Sequence, residues 1–215
     1  MSFDRLAPHY RWMEFLLAGQ KLQACRSAWL ARVPDSREVL IVGEGPGRFL
    51  ALCATVLPEA RIVCVDASAA MLARAQSAWQ QAGGRADRIT FVHARLPEWQ
   101  PETQRFDLIV THFFLDCFPP RLLQEVVATL SAGATPAARW LLADFQLPQG
   151  GMRRIRARVV LAAAYAFFRL ATRLPASQLS FPDHQLMNHG FRREHWLEAD
   201  WGLLRSDLWT RPKST

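Results

Sequence analysis

Three glycines at alternating positions, Gly43, Gly45 and Gly47, stand in "VLIVGEGPGRFL" directly after a run of four apolar residues. Glycines let a backbone turn sharply and approach a ligand closely, because no Cβ intervenes. Asp66 ends the next apolar run, "RIVCVD", 23 positions after Gly43. A carboxylate there suits acceptance of hydrogen bonds from both ribose hydroxyls of an adenosine. Further on, "IVTHFFLDCF" offers His112 and Asp116. An imidazole titrates near neutral pH and can take a proton from a hydroxyl or amine nucleophile. Asp116 can orient that imidazole or act as the base itself. The plainer readings are a satisfied half-buried His112 and an Asp116 that caps the next helix.

The loop narrows the ligand. A dinucleotide fingerprint would place its third glycine at Arg48, and Pro46 removes an N–H that a pyrophosphate could use. No G-x-x-x-x-G-K-[ST] sequence is present, which excludes a triphosphate loop of that kind. An adenosine ligand without phosphates fits, and S-adenosyl-L-methionine leads. Glu44 is the only carboxylate within the loop. It is expected near the methionine end, pairing with the ammonium or holding a water; the alternative is a solvent-facing side chain bonded to neighbouring N–H groups.

The elements that must hold these residues follow a βαβα rhythm. "EVLIV", "RIVCVD", "ITFVH", "FDLIVTHF" and "RWLLADF" read as strands, with helices over 48–57, 68–82 (capped by Ser68) and from Pro120 to about 131. Near-continuous apolar runs are those of central strands buried on both faces. A parallel sheet with helices on both faces follows. An N-terminal helix over 11–32 precedes it. An arginine-rich helix over 152–174, a short helix in "PDHQLMNHG" and two strands turning near Trp201–Gly202 follow it.

With these motifs placed, the chain resembles class I S-adenosylmethionine-dependent methyltransferases. "VLIVGEGPGR" is similar to their first motif and "VCVDASAAMLARAQ" to their second. "FDRLAPHYRWMEFL" and "YAFFRLATRLPASQLSFPDHQLMNHGF" are similar to the ubiquinone/menaquinone-biosynthesis type. The resemblance implies a Rossmann-like α/β fold: a doubly wound, seven-stranded sheet, mostly parallel with an antiparallel last strand, and a helical insertion after strand five. It implies one domain over 1–215, divided into a helical cap (1–35), a cofactor-binding core (36–146), a helical lid (147–190) and a C-terminal strand pair (191–215). Together with the residue readings, it places Gly43, Glu44, Gly45, Gly47, Asp66, Ala67, Met71, His93, Ala94 and Thr111 at the cofactor, with Met71 near the adenine and Glu44 and His93 standing in for the family's missing acids. Tyr10, Phe113, Phe145 and Tyr165 fall to the acceptor. Two departures stand out: Ile41 occupies the place of the family's usual first-motif acid, and His93 and Arg95 stand where a third-motif acid often reads the adenine amino group.

Composition bounds the function. The net charge is +7, carried almost wholly by arginine. That admits nucleic acid or lipid head groups as partners. Yet no separate basic domain and no N-P-P-[YFW] motif follows the fourth strand, so a small hydrophobic or aromatic acceptor is favoured over RNA or DNA. A protein that binds S-adenosylmethionine with altered or no transfer activity is the other alternative. The remaining histidines are scattered without metal-ligand spacing, and no metal is expected. The uncharged run Val159–Phe168 is too short to span a bilayer, leaving an interfacial helix or a lid over an apolar pocket. Four cysteines without redox spacing and no signal peptide suggest a cytoplasmic protein.

Overall fold

The structure, a computed structural model, describes residues 19–172 and 179–212, with side chains over 20–162 and 179–212. Seven strands form one sheet: β1 (Glu38–Val42), β2 (Arg61–Asp66), β3 (Ile89–His93), β4 (Phe106–His112), β5 (Ala134–Phe145), β6 (Arg192–Ala199) and β7 (Leu204–Thr210). Their order is β3-β2-β1-β4-β5-β7-β6. β1 to β5 pair in parallel, and β7 runs antiparallel to both β5 and β6. The described helices are α1 (Gly19–Ser27), α2 (Arg48–Val56), α3 (Ala69–Gln81), α4 (Pro120–Gly133), α5 (Gly151–Thr172) and α6 (Asp183–Asn188).

Strand alternation sorts the core into two layers. Leu40, Val42, Val63, Val65, Ile109, Trp140 and Leu142 face one side. There α4 meets them with Leu123, Val126, Val127 and Leu130, spaced for one helix face. Val39, Ile41, Ile62, Leu108, Val110 and Leu141 face the other side, under Phe49, Leu50 and Cys53 of α2 and Ala75 and Trp79 of α3. Ile41 is therefore a core residue, which accounts for its lack of charge. A third cluster joins α1 (Leu22, Cys25), α5 (Ala157, Leu161) and the end of the β5–β7 pair (Ala143, Leu204). Ser206 ties α1 down by donating to the Cys25 carbonyl at 2.7 Å.

One element differs from expectation. β5 begins at Ala134, directly from α4, five residues before the predicted "RWLLADF". Its pairing with β4 jumps from Phe106↔Ala134 to Leu108↔Arg139, an irregularity that absorbs "TPAA" and hides the early start. At the other edge, α6 is pinned by Arg205 of β7, whose guanidinium donates to Asp183 at 2.7 and 3.0 Å and also to Asp207.

In this order the chain reverses direction across the sheet between β1 and β4. Crevices at such switch points, outside the carboxyl ends of the strands, take ligands in α/β sheets. Gly43 and Phe113 follow those two strand ends.

Candidate ligand and acceptor site

All three loop glycines adopt left-handed backbone, with φ of 69°, 68° and 87° at Gly43, Gly45 and Gly47. Close packing inside the protein adds a second demand for glycine at two of them. A Cβ at Gly43 would stand 2.3 Å from Cδ2 of Phe114, and one at Gly47 would stand 2.7 Å from Cα of Ala75. Gly47 thus lets α2 and α3 approach, while Gly43 lets the β4 loop lie across β1.

Asp66 closes the loop from β2. Its Oδ2 accepts the Gly45 N–H at 3.2 Å and its Oδ1 accepts the Ser68 N–H at 2.9 Å. Each oxygen keeps lone-pair capacity, a geometry suited to two adjacent hydroxyls. Burial raises the Asp66 pKa above the usual carboxylate range, opposed by those N–H groups and by His93. Met71 is buried at the first turn of α3, where its N–H donates to the Ser68 hydroxyl at 3.2 Å. Around the adenine position expected from sequence, the polar groups are engaged locally. His93 Nε2 lies 3.1 Å from the Ala67 carbonyl, and the Ala94 N–H donates to the Asp66 carbonyl at 3.1 Å. The imidazole is exposed.

Glu44 neither simply faces solvent nor stands free in the cleft. Its Oε1 accepts the N–H groups of Phe49 and Leu50 at 2.9 and 3.0 Å. These are orphan donors of the first turn of α2, so the carboxylate caps that helix from the loop preceding it. Burial pushes its pKa up to about 7; the Leu50 and Phe49 N–H groups and Arg26 pull the other way.

Arg26 is the residue that sequence reading missed. It is 5% exposed, and its guanidinium carbon lies 5.0 Å from the centre of the Phe113 ring. Its charge acts on both Glu44 and His112. A signal existed: Arg26 stands one residue after Cys25 and four after Leu22, on the buried face of α1.

The expected catalytic pair is not assembled as a pair. His112 is 7% exposed, its ring edge-on to Phe49 at 4.6 Å, and its Nδ1 is buried without a hydrogen-bond partner. Burial, aided by Arg26, holds its pKa well below the ordinary imidazole value. The expected titration near neutral pH is thereby corrected: the ring stays neutral. Asp116 turns to Asp144 at the end of β5. Its N–H donates to Asp144 Oδ2 at 3.2 Å, and the two carboxyls share a hydrogen bond. Burial raises the pKa of both; the Asp116 charge and hydrogen bond raise Asp144 further, while the hydrogen bond with Asp144 lowers Asp116. Thr111 is turned into the sheet, 1% exposed, with its hydroxyl accepting from Trp140 Nε1 at 2.8 Å. That commits it to the core instead of the cofactor.

Phe113 and Phe145 do come together, with ring centres 5.3 Å apart, against the third cluster beneath α5. Phe113 has a φ of 53°, a left-handed conformation that is unfavourable for a bulky residue and directs the chain out of β4. Tyr10 lies outside the described residues. Tyr165 lies within the α5 backbone, its side chain outside them. Among the described residues, no group of three His, Cys, Asp or Glu could hold a metal ion.

Comparison with known proteins bears on this geometry. Residues 39–136 match a family model described as a methyltransferase domain. A trans-aconitate 2-methyltransferase of Azoarcus sp. is 35% identical over 124 residues, covering 56% of this chain and 46% of that protein. One from Escherichia coli is 39% identical over 106 residues, covering 47% and 39%. The chain spans less than half the length of these curated relatives. Among solved structures, the mitomycin 7-O-methyltransferase superposes with a TM-score of 0.68 at 18% identity, over 99% of this chain and 61% of that one. The magnesium protoporphyrin IX methyltransferase of Synechocystis with bound SAH gives 0.64 at 17% identity, over 90% and 83%. These likenesses carry the fold. None of the four is named as a quinone-biosynthesis enzyme.

Proposed function

Residues 39–136 belong to the class I S-adenosylmethionine-dependent methyltransferase family, and from that premise we propose that this chain transfers a methyl group from S-adenosylmethionine to a small apolar or aromatic acceptor. The observation that carries the reading is Asp66, held between the Gly45 and Ser68 N–H groups at the end of β2 beside three left-handed glycines. When bound, the cofactor supplies a methyl group on a sulfonium, transferred in line to an acceptor lone pair. Asp66 would accept the ribose hydroxyls. The Glu44 oxygen that α2 leaves over would face the ammonium. Phe113 and Phe145 would hold the acceptor's apolar body beneath α5. Near-attack alignment supplies much of the rate. The acceptor's proton would leave to neutral His112, to the Asp116–Asp144 pair or to water.

O-methylation of a phenol-like hydroxyl or a carboxyl is the form the relatives favour, since the mitomycin enzyme is named an O-methyltransferase. All four cysteines are free thiols, which supports a reducing, cytoplasmic setting. The test is transfer of a deuterated methyl group from labelled cofactor to an apolar phenol, an apolar carboxylic acid, aconitate and total RNA, read by mass spectrometry. Label on an apolar small molecule is expected. Label on RNA alone would overturn the reading, and so would tight cofactor binding with label on nothing.

A further inference from the structure

We propose that the outer face of α5 docks this protein on an anionic lipid bilayer. The inner face of the helix is accounted for by Ala157 and Leu161 in the third cluster. The outer face is not. Met152, Ile155 and Val159 are 84%, 64% and 64% exposed, and their spacing of three and four residues makes one stripe. On the helix, Arg156 and Arg158 stand on either side of that stripe, with Arg153 and Arg154 further round; all four are exposed, and Arg153, Arg154 and Arg158 form no ion pair with a described residue. α5 contains no acidic residue at all.

A neighbouring turn extends the surface. Arg156, itself exposed, donates to Asp200 Oδ2 at 3.0 Å, fastening α5 to the 200–202 turn. Lys21 of α1 pairs with the same carboxylate. The next residue, Trp201, is 68% exposed. Asp200 and Trp201 both take positive φ, 49° and 62°, an unfavourable conformation for non-glycine residues in succession. The tethered turn thus leaves a tryptophan in solvent on an element fastened to the helix that carries the exposed apolar stripe.

Charge chooses the occupant. A second copy meeting this face through a two-fold axis would bring two sets of acid-free arginines together, on chains each carrying +7. Anionic head groups answer both features. Guanidinium groups take phosphate oxygens in bidentate fashion, and apolar side chains and tryptophan settle at the head-group boundary. No described helix is long and apolar enough to cross a membrane, so the helix lies along the surface. On the functional reading above, and resting on it, α5 then separates the bilayer from the Phe113–Phe145 pocket, and the acceptor is a molecule dissolved in lipid.

Cosedimentation of the full chain with vesicles tests the docking without any turnover. Binding to mixed phosphatidylglycerol–phosphatidylcholine vesicles is expected, weakening as salt rises, with little binding to phosphatidylcholine alone. Replacing Arg153, Arg154 or Arg158 by glutamine should weaken binding about fivefold each. Ile155→Glu should abolish it while leaving the thermal melt and the affinity for S-adenosylmethionine unchanged. The proposal is overturned if the native chain ignores anionic vesicles, or if Ile155→Glu with an unchanged melt binds them as well as the native chain. It is also overturned if light scattering shows a dimer that Ile155→Glu dissociates. Cofactor affinity and methyl transfer are separate readouts, so failure of docking and failure of the enzymatic reading are distinguishable.

Discussion

Gly43 and Phe114 meet across the switch point of the sheet, with the Phe114 ring filling the space that a Cβ at residue 43 would need. Gly43→Ala should therefore cost stability twice. A left-handed alanine costs about 1–2 kcal/mol, and overpacking against the ring adds about 1–3 kcal/mol. Removing the ring should return the second part. In a double-mutant cycle with Phe114→Ala, read by denaturant unfolding, the two changes should couple by about 1 kcal/mol or more. Strict additivity would show that the ring is no obstacle.

Glu44 sets a pH dependence whose sign follows from its pKa. Burial raises it from an ordinary 4.5 to about 7, so the folded protein holds a proton that the unfolded chain has already lost. The stability this confers is fully present below about pH 4.5 and is lost as pH rises through 7. Glu44→Gln keeps a carbonyl to accept the Phe49 and Leu50 N–H groups and removes the titration. The variant should match the native protein at about pH 4.5 and exceed its stability at about pH 8. A stability difference that stays constant with pH would contradict the assignment.

His112 is held neutral by burial, so the active enzyme should show no imidazole limb between about pH 6 and 8. His112→Gln should lower turnover, by tenfold or more if the ring takes the acceptor's proton, and shift no inflection of the pH profile. Cofactor affinity should change little. Disappearance of a neutral-pH inflection in the variant would mean that the ring titrates after all.

Arg26 pulls the Glu44 pKa down and pushes the His112 pKa down. Arg26→Met should therefore raise both, as followed by carboxyl and imidazole resonances in NMR titrations. No movement in either would mean that the guanidinium charge is spent elsewhere.

What sequence revealed and what it concealed have physical causes. Strands β1, β2 and β4 are buried on both faces, so their apolar runs announce them. The glycine loop and Asp66 belong to one βαβ unit, and local spacing is enough to join them. Pairings made by the fold are different. Asp116 and Asp144 lie 28 residues apart and meet because β4 and β5 are neighbours. His112 and Asp116 are close in sequence, yet one packs on Phe49 and the other turns toward β5. Glu44 caps α2 because the loop folds back onto the helix start, a closure that composition does not encode. Thr111 looked like a strand-tip ligand, but its partner Trp140 comes from the adjacent strand.

The central claim is that Asp66 and the glycine loop hold the adenosine of S-adenosylmethionine, and calorimetric titration of the cofactor into the native protein and the Asp66→Ala variant tests it most directly. Loss of a charge-assisted contact should weaken binding by about 1–3 kcal/mol, roughly five- to 150-fold, while far-ultraviolet circular dichroism stays unchanged. Equal affinity in the two proteins would contradict the account.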